Sequence, residues 1–498
     1  MAAERSQGTA STRASQEVWD GIRRFSELPE WVAAASRPEF VADALARHVP
    51  ELSAGELVAT VGKPRLRLGG AGWTARYGVT VEGPGAKSEM VRLVGTLLPP
   101  GAGTHPNGRS VGAFGSDGWR CTLPELGLEL ATEAADAAIE VLPRLTDPER
   151  SRALLEESIR ACTPSLEDIR IASASPRIVR LKPGNRVTVL YALGYSPADR
   201  QRGWPEVVVA KTYRGDKAKA SYEGMHALWG SELAAGRAVT VAQPLAYIPE
   251  LRVVVQGPIR EEQTLKDLLR SALRTGSAEG LERLSEAMER AAAGLAALHG
   301  CGVVYGRTVT ISDEVAEVRE ALNELDVPIA GMADAAAPLL ARVEEIAART
   351  PADALAPAHG AFRPAQVLLH GDDIGFIDFD GLCRAEPARD VALFTSAVRD
   401  IGMEEYQPYR DGASKPGATL DRWNQLDEIC DAFVKKYESL APISRSRLVL
   451  WETLGLFTYV LNCWSKVHPE RLGFRIVNVE QHLRVSGLVP QAAGPEEL

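Results

Sequence analysis

The sequence predicts an α+β chain of two lobes, a small antiparallel sheet followed by a larger helical body, with a further α/β domain in front. Three observations predict it. A β-rich block runs from about residue 168 to 212, with turns rich in Gly, Pro and polar residues between its apolar runs. From about residue 263 the pattern becomes helical and stays so to about 486, broken only by a loop with short strands at 357–384. An earlier β-rich block at about 64–98 has helical periodicity on both sides. A chain of 498 residues with 45% hydrophobic content has enough apolar surface for two or three domains. The expected boundaries are a disordered tail 1–16, an N-terminal α/β domain 17–164, a β-rich lobe 165–260, a helical lobe 261–490 and a tail 491–498.

The opening residues are small and polar and lack the apolar core of a secretory signal. Residues 17–48 carry Trp19, Ile22, Phe25, Leu28 and Trp31 at roughly helical spacing, with Pro29 and Pro38 dividing the run. Three β-like runs follow: PRLRLGG, TARYGVTVEG and MVRLVGTLL. They parallel SPRIVRL, VLYALGYSPA and VVVAKTY in the second block. Either the first block is a degenerate duplicate of the second, or two antiparallel meanders look alike. If it is a duplicate, the position matching Lys211 is Val94 or Gly95.

The helical lobe opens with TLKDLL and LERLSEAMERAAAGLAALHG, ending at Gly300. The acidic run DEVAEVREALNELD reads as a solvated helix face. The most apolar stretch, Leu448 to Trp464, contains Glu452 and Asn462 and reads as a buried helix rather than a membrane span. Its aromatics Trp451, Phe457 and Trp464 read as core.

Charge narrows the function. With 56 Lys+Arg against 66 Asp+Glu, the net charge is -10, which is unsuited to general nucleic-acid binding. The six cysteines form no CxxC pair, so a zinc or redox site is not expected, and scattered cysteines suit a reduced, cytoplasmic protein.

The chemistry concentrates in HGAFRPAQVLLHGDDIGFIDFDGLCRAEPARDVA, residues 359–392. His359-Gly360 open a loop, Gln366 follows Ala361 by five residues, and Asp378-Phe379 follows after two short apolar runs. Paired short strands can bring an amide, a carboxylate and a loop to one cleft. His370-Gly371-Asp372 reads as the turn between those strands, because Asp372 stands only six residues before Asp378.

This segment resembles the aminoglycoside phosphotransferase and choline kinase superfamily, whose loop reads His-Gly-Asp, then Asn, then an apolar strand ending in Asp-Phe. The resemblance covers about residues 165–490. It implies a protein-kinase-like fold, ATP and Mg2+ as cofactors, and transfer to a hydroxyl of a small molecule or peptide. Asp378 and Gln366 fall at the metal-ligand positions, and Pro387 and Asp390 match a Pro-x-x-Asp that braces the loop. The family's catalytic aspartate is here Ala361, whose methyl group can neither orient a hydroxyl nor take its proton. A replacement base would have to come from Asp380, Glu386, elsewhere in the fold or the substrate.

The same resemblance puts Lys211, in the apolar strand VVVAKTY, on the nucleotide phosphates. Its expected partner is Glu223, with Glu232 second. Asn185 and Arg186, in LKPGNR, fit either a phosphate contact or a simple turn. Val254, Val255 and Gln256 fit a hinge strand facing the base. His299 and His359 read as structural, and Arg363 as either a substrate contact or a surface residue.

Two functions stay open on these residues: an ATP-dependent phosphotransferase, or a pseudokinase-like binding protein that uses the N-terminal domain to meet a protein partner. A peptide Ser/Thr kinase of a natural-product pathway is a branch of the first, and a peptide groove between the N-terminal domain and the helical lobe would favour it. Neither nucleic acid nor membrane is expected as a partner.

Overall fold

The computed structural model describes residues 2–83, 88–101, 110–133, 142–182, 186–236, 238–406 and 416–490. The chain folds as a mixed α+β protein, with antiparallel sheets in its first half and helices in its second. The first helix, α1, spans Ala2–Arg23. Residues expected as a tail therefore begin a helix; their Ala, Glu, Gln and Arg content supports one even though it lacks apolar periodicity. Trp19 and Ile22 of α1 are buried.

Next come α2 (Glu30–Ala35), α3 (Pro38–His48) and the single turn α4 (Pro50–Ser53), each set off by a proline. A seven-stranded antiparallel sheet follows: β1 (Val58–Val61), β2 (Arg65–Gly69), β3 (Gly72–Glu82), β4 (Glu89–Leu97), β5 (Ser110–Val111), β6 (Arg120–Leu123) and β7 (Leu128–Thr132). Burial alternates along β2 and β3, so one face of this sheet is core and the other is open.

The helices α5 (Leu142–Thr146) and α6 (Pro148–Cys162) lead into a five-stranded sheet of β8 (Ser173–Lys182), β9 (Arg186–Gly194), β10 (Val207–Thr212), β12 (Pro244–Ile248) and β13 (Val253–Gln256). Leu145, Leu155 and Ile159 share a core with Val189, Tyr191 and Val255 of this sheet. By packing, α5 and α6 therefore belong to the N-lobe, although the sequence reading placed them at the end of the preceding domain.

The two sheets repeat one plan. The strand orders β2-β3-β4-β7-β6 and β8-β9-β10-β13-β12 are the same walk through the sheet. Each is preceded by a short helix, a longer helix with proline at its start and a further proline-led turn, at Pro50 in the first copy and Pro164 in the second. In each, Pro-Glu-Leu (124–126 and 249–251) forms a 3-10 turn before the last strand, closed by a left-handed residue, Gly127 at φ 62° or Arg252 at φ 51°. Tyr77 donates to the Ala35 carbonyl at 2.9 Å, and Tyr191 donates to the Leu145 carbonyl at 2.7 Å.

Register fixes the equivalences. Tyr77 faces Leu93, and Tyr191 faces Val208. Lys211 therefore corresponds to Thr96, not to Val94 or Gly95 as the sequence comparison suggested. A strand slip of one or two residues is invisible in an apolar pattern. The copies differ between their third and fourth common strands. There the second inserts α7 (Lys217–Trp229), α8 (Glu232–Ala235) and β11 (Thr240–Val241), whereas the described residues of the first hold only loop and β5.

The C-lobe contains α9 (Leu265–Thr275), α10 (Ala278–Gly300), α11 (Ile311–Asp326) and α12 (Met332–Arg349). The short strands β14 (Gln263–Thr264), β17 (Val367–His370) and β18 (Asp373–Phe376) join β11 in one sheet. The strands β15 (Thr308–Val309), β16 (Ala356–Ala358) and β19 (Cys383–Ala385) form another. The helices α13 (Pro387–Glu404), α14 (Pro416–Glu438), α15 (Arg445–Lys466) and α16 (Pro469–Ser486) complete the lobe. Side-chain caps start several helices; Thr310 and Asp313 form a reciprocal capping box at α11.

The N-terminal domain sits on the C-lobe and shares its core. Trp73 of β3 donates to the Trp464 carbonyl at 2.8 Å, and Trp464 donates to the Phe25 carbonyl at 3.1 Å. Between β2, α11 and α15 a cavity of about 180 Å3 remains, and one of about 650 Å3 lies between α1, α12 and residues 488–490. The apolar run 448–464 is buried in α15, and among the described residues no helix is long and apolar enough to cross a membrane.

Candidate active site

The hairpin of β17 and β18 turns at Gly371, in the left-handed region, with Asp372 fully exposed beside Arg290. The HGDD run is therefore a turn, as its spacing requires. Downstream, Asp378 takes φ 72°, ψ 47°, a left-handed conformation costly for a non-glycine residue and concentrated at functional sites. It turns the carboxylate away from the strand line and toward β10.

Asp378 meets two cations from the N-lobe: Lys211 Nζ at 3.4 Å and Arg186 Nη1 at 3.4 Å. Burial alone would raise the Asp378 carboxyl, but Lys211 and Arg186 outweigh it and hold the group below the ordinary aspartate value. Arg186 also pairs with Asp380, and its guanidinium lies 4.9 Å over the Tyr213 ring. Asp380 further accepts from Tyr213 at 2.8 Å and from Ser221 at 3.1 Å. It joins three N-lobe elements to the loop after β18, and these bonds occupy the oxygens a substitute base would need.

The expected Lys211–Glu223 pair does not form. Glu223 faces outward, 3.8 Å from Lys219, and accepts from the Tyr305 hydroxyl at 3.3 Å. Glu232 is exposed at the start of α8. The inner face of α7 carries Ala218, Ser221, Gly224, Met225 and Leu228, at helical spacing that leaves Glu223 on the other side. That periodicity could have identified Ser221 as the inward polar group. Tyr213 gave no signal beyond its place two residues after Lys211.

Glu386 is excluded as a base as well. It is buried, paired through both oxygens with Arg447, and accepts from Trp451 at 3.3 Å. Tyr459 shares a local field with Arg363, and burial pushes its phenol up to about 12, so it stays protonated at neutral pH. Arg363 is exposed, with its Nε 3.4 Å from the Ala361 carbonyl.

The loop carrying Ala361 is rigid. Asp390 accepts from the His359 amide at 2.6 Å and the Gly360 amide at 2.9 Å, and His299 lies 3.2 Å from it. Arg389 donates to the Gly360 carbonyl at 3.0 Å and pairs with Glu314 at 3.2 Å. Gly360 has φ 76°, and a Cβ there would lie 1.9 Å from the Gly381 carbonyl oxygen, so the loop packs directly against the Asp378–Gly381 turn. His359 is fully buried with Nε2 3.0 Å from the Ile377 carbonyl, and burial holds its imidazole below the ordinary value.

Gln366 is joined to the same turn by the Ile377 amide, which donates to its carbonyl at 3.1 Å. Its side-chain Oε1 is buried without a hydrogen-bond partner. An orphaned amide oxygen is costly and fits a cation ligand. No group of three His, Cys, Asp or Glu side chains that could hold a metal ion is present among the described residues. Gln256 ends β13, buried, opposite Val209, which stands two residues before Lys211 on β10. Asn185 lies outside the described residues.

A small antiparallel lobe and a helical lobe facing each other across a lysine, an aspartate and a braced His-Gly loop define a phosphotransferase-like cleft of the kinase type. Residues 189–426, just under half of the chain, match the phosphotransferase enzyme family. Among solved structures it is similar to a choline/ethanolamine kinase family protein from Mesorhizobium loti, at 13% identity over 68% of this chain and 96% of that one, TM-score 0.44. It is also similar to a glucosamine kinase, at 18% identity over 93% of this chain and 98% of that one, TM-score 0.44. An aminoglycoside phosphotransferase from Streptomyces rimosus aligns at 16% identity over 58% of this chain and 92% of that one, TM-score 0.33. No curated protein sequence matches the chain.

Proposed function

We propose that the cleft binds ATP with Mg2+ and that the chain is a phosphotransferase whose transfer step, to a hydroxyl of a small molecule or peptide, runs without a protein base at position 361. The observation that carries this reading is the convergence of Lys211 and Arg186 on Asp378, one residue after Ile377, whose amide donates to the carbonyl of Gln366, a residue with a buried and unpartnered Oε1. Asp378 and Gln366 would hold the metal, which neutralises phosphate charge when bound. Lys211 and Arg186 would meet the phosphates from the roof, and the strand ending in Gln256 would face the base. The braced loop keeps the backbone at 359–361 in place for the acceptor. Losing a general base costs about 10²–10⁴-fold in rate, so transfer would be slow or assisted by the substrate.

A second reading, nucleotide binding without transfer, is favoured by the engagement of both alternative bases, Asp380 and Glu386. Calorimetry of ATP with and without Mg2+ tests the shared part. Binding should need the metal and be lost in Asp378→Ala and Lys211→Ala; no binding at millimolar ATP refutes both readings. Ala361→Asp then separates them, since it should raise phosphoryl transfer only where acceptor and nucleotide already meet.

A further inference from the structure

The second copy of the repeated sheet turns one face to its own helices and the other to the cleft. The first copy has the same two faces, and the one equivalent to the cleft roof is open. Register shows what it carries. Arg65 faces Arg76, which faces Val94, then Ala131, then Arg120, a single rung across five strands. The next rung is Arg67, Thr74, Thr96, Glu129 and Thr122. Arg92, facing Gly78, adds a fifth arginine to the face. Directly opposed residues point to one side of a sheet, and all five arginines are exposed. With strands about 4.8 Å apart, the rung spans about 19 Å. Among the described residues only Arg76 has a salt bridge, to Glu133 at 2.8 Å; Arg65, Arg67, Arg92 and Arg120 form none with another described residue.

This concentration of cations stands on a chain whose net charge is -10. The equivalent rungs of the second copy, Arg177–Leu190–Val209–Gln256 and Arg180–Thr188–Lys211–Val254, are completed by the C-lobe. The first copy has Thr96 for Lys211 and Gly72 for Arg186, so it retains the face without the groups that meet Asp378.

We propose that the open face of the first sheet is a docking surface for an acidic segment of a partner protein. Five arginines alternating with threonine hydroxyls complement spaced carboxylates. Glu129 and Glu133 interrupt the cationic field, so spaced carboxylates of a polypeptide fit it better than a continuous phosphate backbone.

The test uses the full chain and a fluorescein-labelled polyglutamate peptide, followed by fluorescence anisotropy at low salt. The wild type should bind, with affinity falling as salt rises. The double variant Arg65→Glu, Arg120→Glu should weaken binding at least about tenfold, while Arg283→Glu, exposed on α10, should leave it unchanged. Both sites are at the surface, and circular dichroism confirms folding. An oligothymidylate of equal charge should bind more weakly than the peptide. No binding by the wild type, equal binding by the double variant, equal loss in the α10 variant, or tighter binding of the oligonucleotide would each overturn the proposal.

Discussion

Asp390→Asn should be among the most damaging single-atom changes in this chain. The carboxylate is fully buried and accepts from the amides of His359 and Gly360, with His299 on the same oxygen as His359. Asparagine keeps one acceptor oxygen and turns an NH2 toward a donor. If the oxygen stays on the His359 side, the Gly360 amide is orphaned and faces a second donor. An unsatisfied buried donor costs about 1–3 kcal/mol. The two remaining bonds lose their ionic assistance, worth about 0.5–1.5 kcal/mol each. The expected loss is about 2–6 kcal/mol, of the order found when a buried pair is broken. Urea denaturation would register it as a lower midpoint, and native-state hydrogen exchange should show the 359 and 360 amides losing protection. Asp372→Asn, on a fully exposed carboxylate, should move neither. A variant within about 1 kcal/mol of wild type, with both amides still protected, would show that Asp390 does not brace the loop.

Tyr77→Phe and Tyr191→Phe should each cost about 1 kcal/mol by urea denaturation. They sit in separate cores, so the double variant should be additive; strong coupling would contradict two independent copies. Trp464→Ala should cost about 3–5 kcal/mol and expose the seam with the N-terminal domain to limited proteolysis, whereas an unchanged digestion pattern would mean the seam does not depend on it. His359 and His482 are both held by burial below the ordinary histidine value. The unfolded chain gains those protons near pH 6.5 and the folded chain does not, so their contribution is intact above that pH and is lost below it. The urea midpoint should fall between pH 7 and 5; a flat profile there would refute the assignment.

The fold was legible where the sequence carried period or order: the β block, the helical lobe, the turn at 370–372 and the spacing from His359 to Asp378. Ion-pair partners were less legible. Glu223 was chosen because a glutamate follows Lys211 onto a helix, yet its face is set by Ala218, Gly224 and Leu228 packing inward. Arg186 was visible only as a turn residue, because nothing local says that its guanidinium reaches residues 192 and 194 positions away. The shared plan of the two sheets was visible as a likeness of runs, but its register depends on pairings such as Tyr77 with Leu93, and these are tertiary facts.

The shared plan of the two sheets also bears on how the cleft manages without a helix glutamate. The helix α7 has no counterpart among the described residues of the first sheet, and what it offers the cleft is Ser221, through Asp380. The lysine's charge is met from the C-lobe by Asp378, and the roof is pinned by Arg186 to Asp380. Alignment of the lobes thus rests on the two aspartates of one turn rather than on the position of α7. Two cations and two carboxylates already balance there, so a divalent ion entering at Asp378 adds unbalanced positive charge unless anionic phosphates arrive with it. The same balance makes the site specific to the second copy. With threonine and glycine at the equivalent positions, the first sheet presents no partner for such a turn, and its open face is left to other anions.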